Sequence, residues 1–342
     1  MNNIQSLSNR PREIGVTEAI EPAYERVKQM LFKPFDLTKW IIIGFCAWLA
    51  GFGESGGGGG GGFNGFNNAF NHDNHHFDGN GREQLRHCYE QARDYVAANF
   101  YWIAPVTIFV VVVAVGFWLL IVWLSSRGKF MFLHCVALDK AEVEVPWTKF
   151  AGTGNSLFKF RLVLGLIGMV IMLPLLVFIV LTILRMALQG EPDVAGVLSA
   201  IGLGLVFFGL SLLFALIHKF LVDFVVPIMF LRGGTCLAAW REFYALLSAN
   251  AGKFFVYLLF QIVLAMAIGA IVVLVILVTC CIAGCLMALP FVGTVLLLPV
   301  LIFKRAYPLY YLAQFGPQYD VFPIQPAAAA PPASPLQPLA AG

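Results

Sequence analysis

Residues Phe254–Phe303 read FFVYLLFQIVLAMAIGAIVVLVILVTCCIAGCLMALPFVGTVLLLPVLIF, fifty consecutive positions without Asp, Glu, Lys or Arg. An α-helix rises about 1.5 Å per residue and needs about 20 apolar residues to cross the ~30 Å hydrocarbon core of a bilayer. The stretch is therefore too apolar for water and too long for one crossing, so it has to turn back on itself. Cys280–Cys285, with Gly284 inside and Pro290 soon after, supply the small and helix-stopping residues of a tight hairpin. The expected arms are 254–279 and 286–303.

Working outward, three more blocks of crossing length lie at 100–124, 162–184 and 194–217. A shorter block at 37–53, centred on Trp40–Phe52, reads as a first span or as a re-entrant segment. Over the whole chain 59% of residues are apolar and 12% charged, against about 45–50% and about 25% in soluble domains. The expected fold is all-α: a polytopic membrane protein of six transmembrane helices, arranged as three hairpins. Residues 1–36 form an N-terminal segment with an amphipathic helix, 37–315 the membrane domain with a Gly/Asn/His-rich external loop at 54–81, and 316–342 a Pro/Ala-rich tail expected to be disordered.

Charge fixes the orientation. In the six-span arrangement 18 of the 22 Lys and Arg fall on one side, leaving Arg82, Arg86, Arg93 and Arg185 on the other. By the positive-inside bias both termini are expected in the cytoplasm, in a multi-pass protein of the cell membrane. Removing the first span would place the N-terminal basic residues opposite the loop after 124 and erase most of the asymmetry. The net charge of +3 is small and scattered, which argues against nucleic acid as a partner. No apolar signal-peptide core occurs in the first forty residues, so no cleaved signal is expected. The seven cysteines show no disulfide spacing.

Each odd-numbered span has a similar entry: an aromatic-containing amphipathic segment, then Asp or Asn, then Lys followed by an aromatic. The three copies are Tyr24 with Asp36, Lys39 and Trp40; Trp147 with Asn155, Lys159 and Phe160; and Trp240 with Asn250, Lys253 and Phe254. Asp or Asn can cap free backbone N–H groups, Lys can reach the lipid headgroups, and the ring anchors at the interface. The segments themselves read as interfacial elbow helices on the cytoplasmic side. Widespread interfacial anchoring explains the same residues without any repeat.

Ala239, Trp240, Arg241, Leu246, Asn250, Gly252, Lys253 and Phe254 resemble the segment that precedes a span in the membrane domain attached to some glycerophosphoryl diester phosphodiesterases, and in related six-span bacterial families. Phe32, Lys33 and Pro34, leading to Trp40, are similar to the entry of their first span. The resemblance covers Pro22 to about Leu312 and implies architecture: six spans with elbow helices. The chain departs from the family's Ser-Trp pair, having Ala239 before Trp240, and has no soluble catalytic barrel, so the diesterase activity and its catalytic residues do not carry over.

Residues able to do chemistry are sparse. His72, His75 and His76, with Asp73 and Asp78, are weak candidate metal ligands, because short His-rich tracts gather zinc, nickel or copper without a preformed site; a solvated polar linker explains the same residues and is the favoured reading. Asp223 stands out in the apolar stretch 220–231 and forms, with Arg232 and Arg241, a candidate functional or structural polar cluster. It reads either as a local salt bridge orienting an elbow or as a transport or catalytic carboxylate. No catalytic set and no cofactor are expected. The leading expectation is a non-enzymatic membrane-organising or accessory protein, with the lipid bilayer and a protein bound through the C-terminal tail as partners. The alternatives are a transporter or channel for an apolar or lipid-like solute, and a lipid-modifying enzyme.

Overall fold

The computed structural model describes residues 14–33, 35–52, 90–91, 93–95, 97–189, 194–279 and 289–322. The external loop 54–81, the Cys280–Cys285 hinge and the tail beyond Phe322 lie outside these residues. The described residues are helical, without strand. In chain order the helices are α1 (Ile20–Phe32), α2 (Leu37–Gly51), α3 (Phe100–Leu138), α4 (Glu144–Lys149), α5 (Ala151–Gln189), α6 (Val194–Phe220), α7 (Val226–Arg232), α8 (Cys236–Ala249), α9 (Ala251–Val278), α10 (Pro290–Leu296) and α11 (Leu298–Ala313).

Among the described residues four helices are long and apolar enough to cross a membrane: α3, α5, α6 with its continuation to Arg232, and α9. The outermost two of the six expected spans are shorter. α2 has 15 residues and stops where Phe52 turns extended. The last is broken at Leu297 into α10 and α11. The break follows from Pro299, which lacks the N–H that would bond the carbonyl of Val295. In the other direction α3 outruns its apolar block, continuing from Leu124 to Leu138 through residues expected to form a loop.

Each long helix is packed at one end and bare at the other. The packed end is C-terminal in α3 (Ser125–Ala137) and in the α6–α7 rod (Phe220–Met229), but N-terminal in α5 (Thr153, Leu157) and α9 (Phe254, Tyr257). That alternation is what an up-and-down order requires when one body gathers all the ends on one face. α1, α2, α8 and α11 complete the body, whereas Val110, Phe178, Leu205 and Leu274 on the long helices are exposed.

Glycine lets α2 into this body. A Cβ on Gly128 of α3 would stand 2.6 Å from the carbonyl carbon of Leu49, so only glycine permits that backbone approach. On the other side of α2, a Cβ on Gly44 would meet the Val295 side chain of α10 at 2.8 Å.

The described residues include three with positive φ: Asp139, Gly233 and Gly316, which follow α3, α7 and α11. The ends of α3 and α7 and the turn after α11 thus use a left-handed or glycine-only conformation, whereas Asn250 between α8 and α9 does not. At the first, Arg26 of α1 donates from Nε and Nη2 to Val136 O (3.0 and 2.9 Å) and from Nη2 to Ala137 O (2.8 Å), satisfying carbonyls left open at the end of α3. Lys39 binds the Asp139 carboxylate at 2.9 Å.

The two ends of the described chain meet. Gly15 N–H donates to Gln314 Oε1 at 2.9 Å, Gln314 Nε2 donates to Gly15 O at 3.1 Å, and Tyr307 OH donates to Val16 O at 2.9 Å. Beyond Gly316, where the extended tail was expected to begin, Tyr319 and Val321 are buried, and Phe322 stacks on Tyr310 at 4.1 Å between ring centroids.

Candidate functional site

Two clusters of polar side chains in the packed body stand near its junction with the bare helix halves. The first is built by a local fault in the α6–α7 rod. Residues Leu221–Val225 form a π turn, closed by the Val226 N–H on Leu221 O. Pro227 follows, and its missing N–H leaves the Val222 carbonyl without the next rung of the ladder. Arg305 of α11 fills the gap, its Nη1 donating to Val222 O at 2.7 Å.

Asp223 sits inside this turn and is 4% exposed, the one buried carboxylate among the described residues. Its Oδ2 accepts from Lys219 Nζ at 2.8 Å and from Tyr257 OH at 2.8 Å. Gln261 Nε2 donates in turn to the Tyr257 oxygen at 2.8 Å. Aromatic rings enclose the group: Phe224 lies 5.0 Å from Tyr257, and Tyr257 stacks on Tyr311 at 4.8 Å. A buried carboxylate is tolerable because a cation and a hydroxyl satisfy it at short range.

Arg232 and Arg241 do not join Asp223. Arg232 pairs instead with Glu242 of α8, Nη2 to Oε1 at 2.9 Å. Lys219, Tyr257 and Gln261 stand where the sequence reading expected Arg232 and Arg241. The usable signals were the i,i+4 spacings Lys219–Asp223 and Tyr257–Gln261, which put each pair on one helix face.

The second cluster lies between α3, α4 and α5. The Arg127 guanidinium carbon is 4.5 Å from the Trp123 ring centroid and 4.8 Å from that of Trp147, with the two rings perpendicular. Asn155 Oδ1 accepts from Trp123 Nε1 at 3.1 Å and from Arg127 Nη2 at 3.4 Å. A Cβ on Gly154 would press on Arg127 Cγ at 3.0 Å, so that glycine leaves room for the arginine stem. Arg161 donates to the Ser125 and Ser126 hydroxyls, both at 3.2 Å.

The repeated entry signature divides into different tasks. Asp36 caps α2 by accepting from Thr38 N at 2.8 Å. Asn155 holds Trp123 and Arg127, and the Asn250 side chain donates to Leu246 O at 3.3 Å. The shorter helices α1, α4 and α8 precede α2, α5 and α9.

Two other groups are packing elements by their surroundings. Buried Cys46 and Cys135 bring their sulfurs to 3.9 Å between α2 and α3. Burial alone pushes the Cys236 thiol up to about 12, so at neutral pH it is a protonated packing group. Among the described residues no three or more of His, Cys, Asp and Glu stand together to hold a metal ion. His72, His75 and His76 lie outside the described residues.

A family model matches residues 15–298, from the N-terminal contact with Gln314 to the first residue of α11, and so takes in both clusters except Arg305 and Tyr311. The chain belongs to DUF7544, a family of unknown function. No curated protein and no solved structure matches it. Membership covers the helices from α1 to α10 of this DUF7544 protein and carries no activity with it.

Proposed function

We propose that this DUF7544 protein is a non-enzymatic component of the cell membrane that organises or assists a membrane process, held with both ends in the cytoplasm. The observation that carries this reading is the closure of the Asp223 group. The one buried carboxylate of the described residues is engaged by Lys219 and Tyr257 at 2.8 Å each. Proton relays and substrate sites in membranes keep ionisable groups facing a cavity, whereas this one fastens α6 to α9.

The finer topology belongs to the same proposal. α2 rises only about 22 Å as a helix of its length, and α10 with α11 carries a break, so both are assigned as short first and last crossings. The 18-to-4 division of Lys and Arg supports six spans, and the hydrogen bonds between Gly15 and Gln314 support a common side for the ends. The resemblance to phosphodiesterase-attached membrane domains supports the same architecture. The Pro- and Ala-rich stretch after Phe322 is the segment assigned to partner contact.

The test is to express the chain with compartment-sensitive reporters at each end and to purify it in mild detergent. Both reporters on the cytoplasmic side, with a stoichiometric protein partner lost on truncation after Phe322, support the reading. Reporters in opposite compartments overturn the topology. A chain that purifies alone and carries an apolar solute across vesicles overturns the accessory role in favour of a transporter.

A further inference from the structure

The basic residues of the packed face are matched by partners at most positions. Lys39 has Asp139, Lys219 has Asp223, Arg232 has Glu242, and Arg26 sits on two backbone carbonyls. Arg127 differs. Among the described residues it makes no ion pair, its charge lies against the faces of Trp123 and Trp147, and its Nε is enclosed without a hydrogen-bond partner. Its single side-chain hydrogen bond, to Asn155, is long at 3.4 Å. A half-buried guanidinium with one weak acceptor keeps most of its five donors for something else.

The surroundings say what that is. Lys149 and Lys159 are exposed on α4 and α5, Arg161 lies beside the same turn of α3, and Glu144 is the exposed acid in this region. Arg127 stands one turn beyond the apolar block that ends at Leu124, with the tryptophan Trp123 at the boundary. Immediately outward, Leu120 of α3 and Val163 and Leu166 of α5 are exposed apolar side chains. A cationic corner thus opens directly onto two lipid-facing helix surfaces. The guanidinium fork matches a phosphate diester in two-point contact, and the adjacent apolar faces match acyl chains.

We propose that Arg127, framed by Trp123, Trp147 and Asn155, is a binding site for the phosphate headgroup of an anionic membrane lipid, with the acyl chains lying along α3 and α5. The site needs only that the long helices cross a bilayer, and it stands whichever face is cytoplasmic and whether or not the protein has a partner. Phosphate is the shared chemistry of a lipid headgroup and of free inorganic phosphate, and the position beside exposed apolar helix surface selects the lipid.

The full-length protein in mild detergent is titrated with phosphatidylglycerol, or with phosphatidylcholine of the same acyl chains, and bound lipid is counted by mass spectrometry of the intact complex. Wild-type protein is expected to take one phosphatidylglycerol per chain in preference to phosphatidylcholine. Arg127→Gln weakens that binding about tenfold, Arg232→Gln leaves it unchanged, and millimolar inorganic phosphate does not displace it. Where Arg127→Gln does not fold, Arg127→Lys keeps the charge but loses the fork, and its preference for phosphatidylglycerol is expected to fall below wild type. Equal binding of the two lipids, wild-type affinity in a folded Arg127 variant, or displacement by inorganic phosphate each overturns the proposal.

Discussion

The two halves of α3 are one unbroken helix in different solvents. From Phe100 to Leu120 its side chains are mostly exposed and apolar, and from Ser125 to Ala137 most are buried, with Ser125, Ser126, Lys129 and His134 among them. The outer half meets whatever is apolar and fluid, so its sequence need only be hydrophobic and helical. The inner half meets specific neighbours, so single atoms matter there. The same division runs through α5, the α6–α7 rod and α9, and it says that this protein's specificity is concentrated in the body that gathers the helix ends.

The sharpest way to break the comparison is to place one large side chain in each half of α3. Gly128→Leu forces atoms into the α2 backbone 2.6 Å from its Cβ position, whereas Gly116→Leu has nothing within 4 Å. The first is expected to destabilise by about 3 kcal/mol or more, or to prevent folding. The second should leave the thermal midpoint in detergent within a degree or two of wild type, on the order of 0.5 kcal/mol. Equal effects would mean that the bare half is packed in the membrane-embedded protein.

Next in size is Asp223→Ala, which strands Tyr257 OH and Lys219 Nζ beside an enclosed aromatic cluster. Removing one partner of a buried pair typically costs about 3–5 kcal/mol. The Lys219 side chain is 35% exposed and can turn to solvent, so about 2–3 kcal/mol is expected by thermal unfolding. A loss of solute flux with unchanged stability would instead return Asp223 to a transport role.

Arg26→Ala removes three hydrogen bonds from the carbonyls that end α3, and is expected to cost about 1–2 kcal/mol. Hydrogen exchange should show faster opening near Val136 and Ala137 than in the middle of the helix. The smallest effects belong to the bare halves. Val110→Ala and Phe178→Ala, exposed at 56% and 62%, should each change stability by less than about 0.5 kcal/mol, because detergent or lipid replaces the lost contacts.

Much of the architecture was legible in advance, and much of the site was not. The blocks at 100–124, 162–184, 194–217 and 254–279 all lie within or nearly within α3, α5, α6 and α9. The continuation of α3 to Leu138 was hidden because Arg127, Lys129 and His134 look like loop residues when only hydropathy is read. Asp223 was recognisable as an unusual charge, but the expected cluster set it with Arg232 and Arg241, although Lys219, one helical turn before it, is both nearer in sequence and its actual partner. The π turn had a readable cause in Pro227, yet the residue that completes it, Arg305, is 83 positions away from Val222.

The amino-acid sequence determined the solvent and the rods. Hydrocarbon imposes a length and forbids charge, and both are properties of consecutive residues that need no knowledge of neighbours. Only the tertiary structure decided which polar groups satisfy one another: Tyr257 reaches Asp223 across 34 residues and Arg26 reaches Val136 across 110. Those pairings depend on how helices are set side by side, and the same placement leaves Arg127 with aromatic faces and no carboxylate.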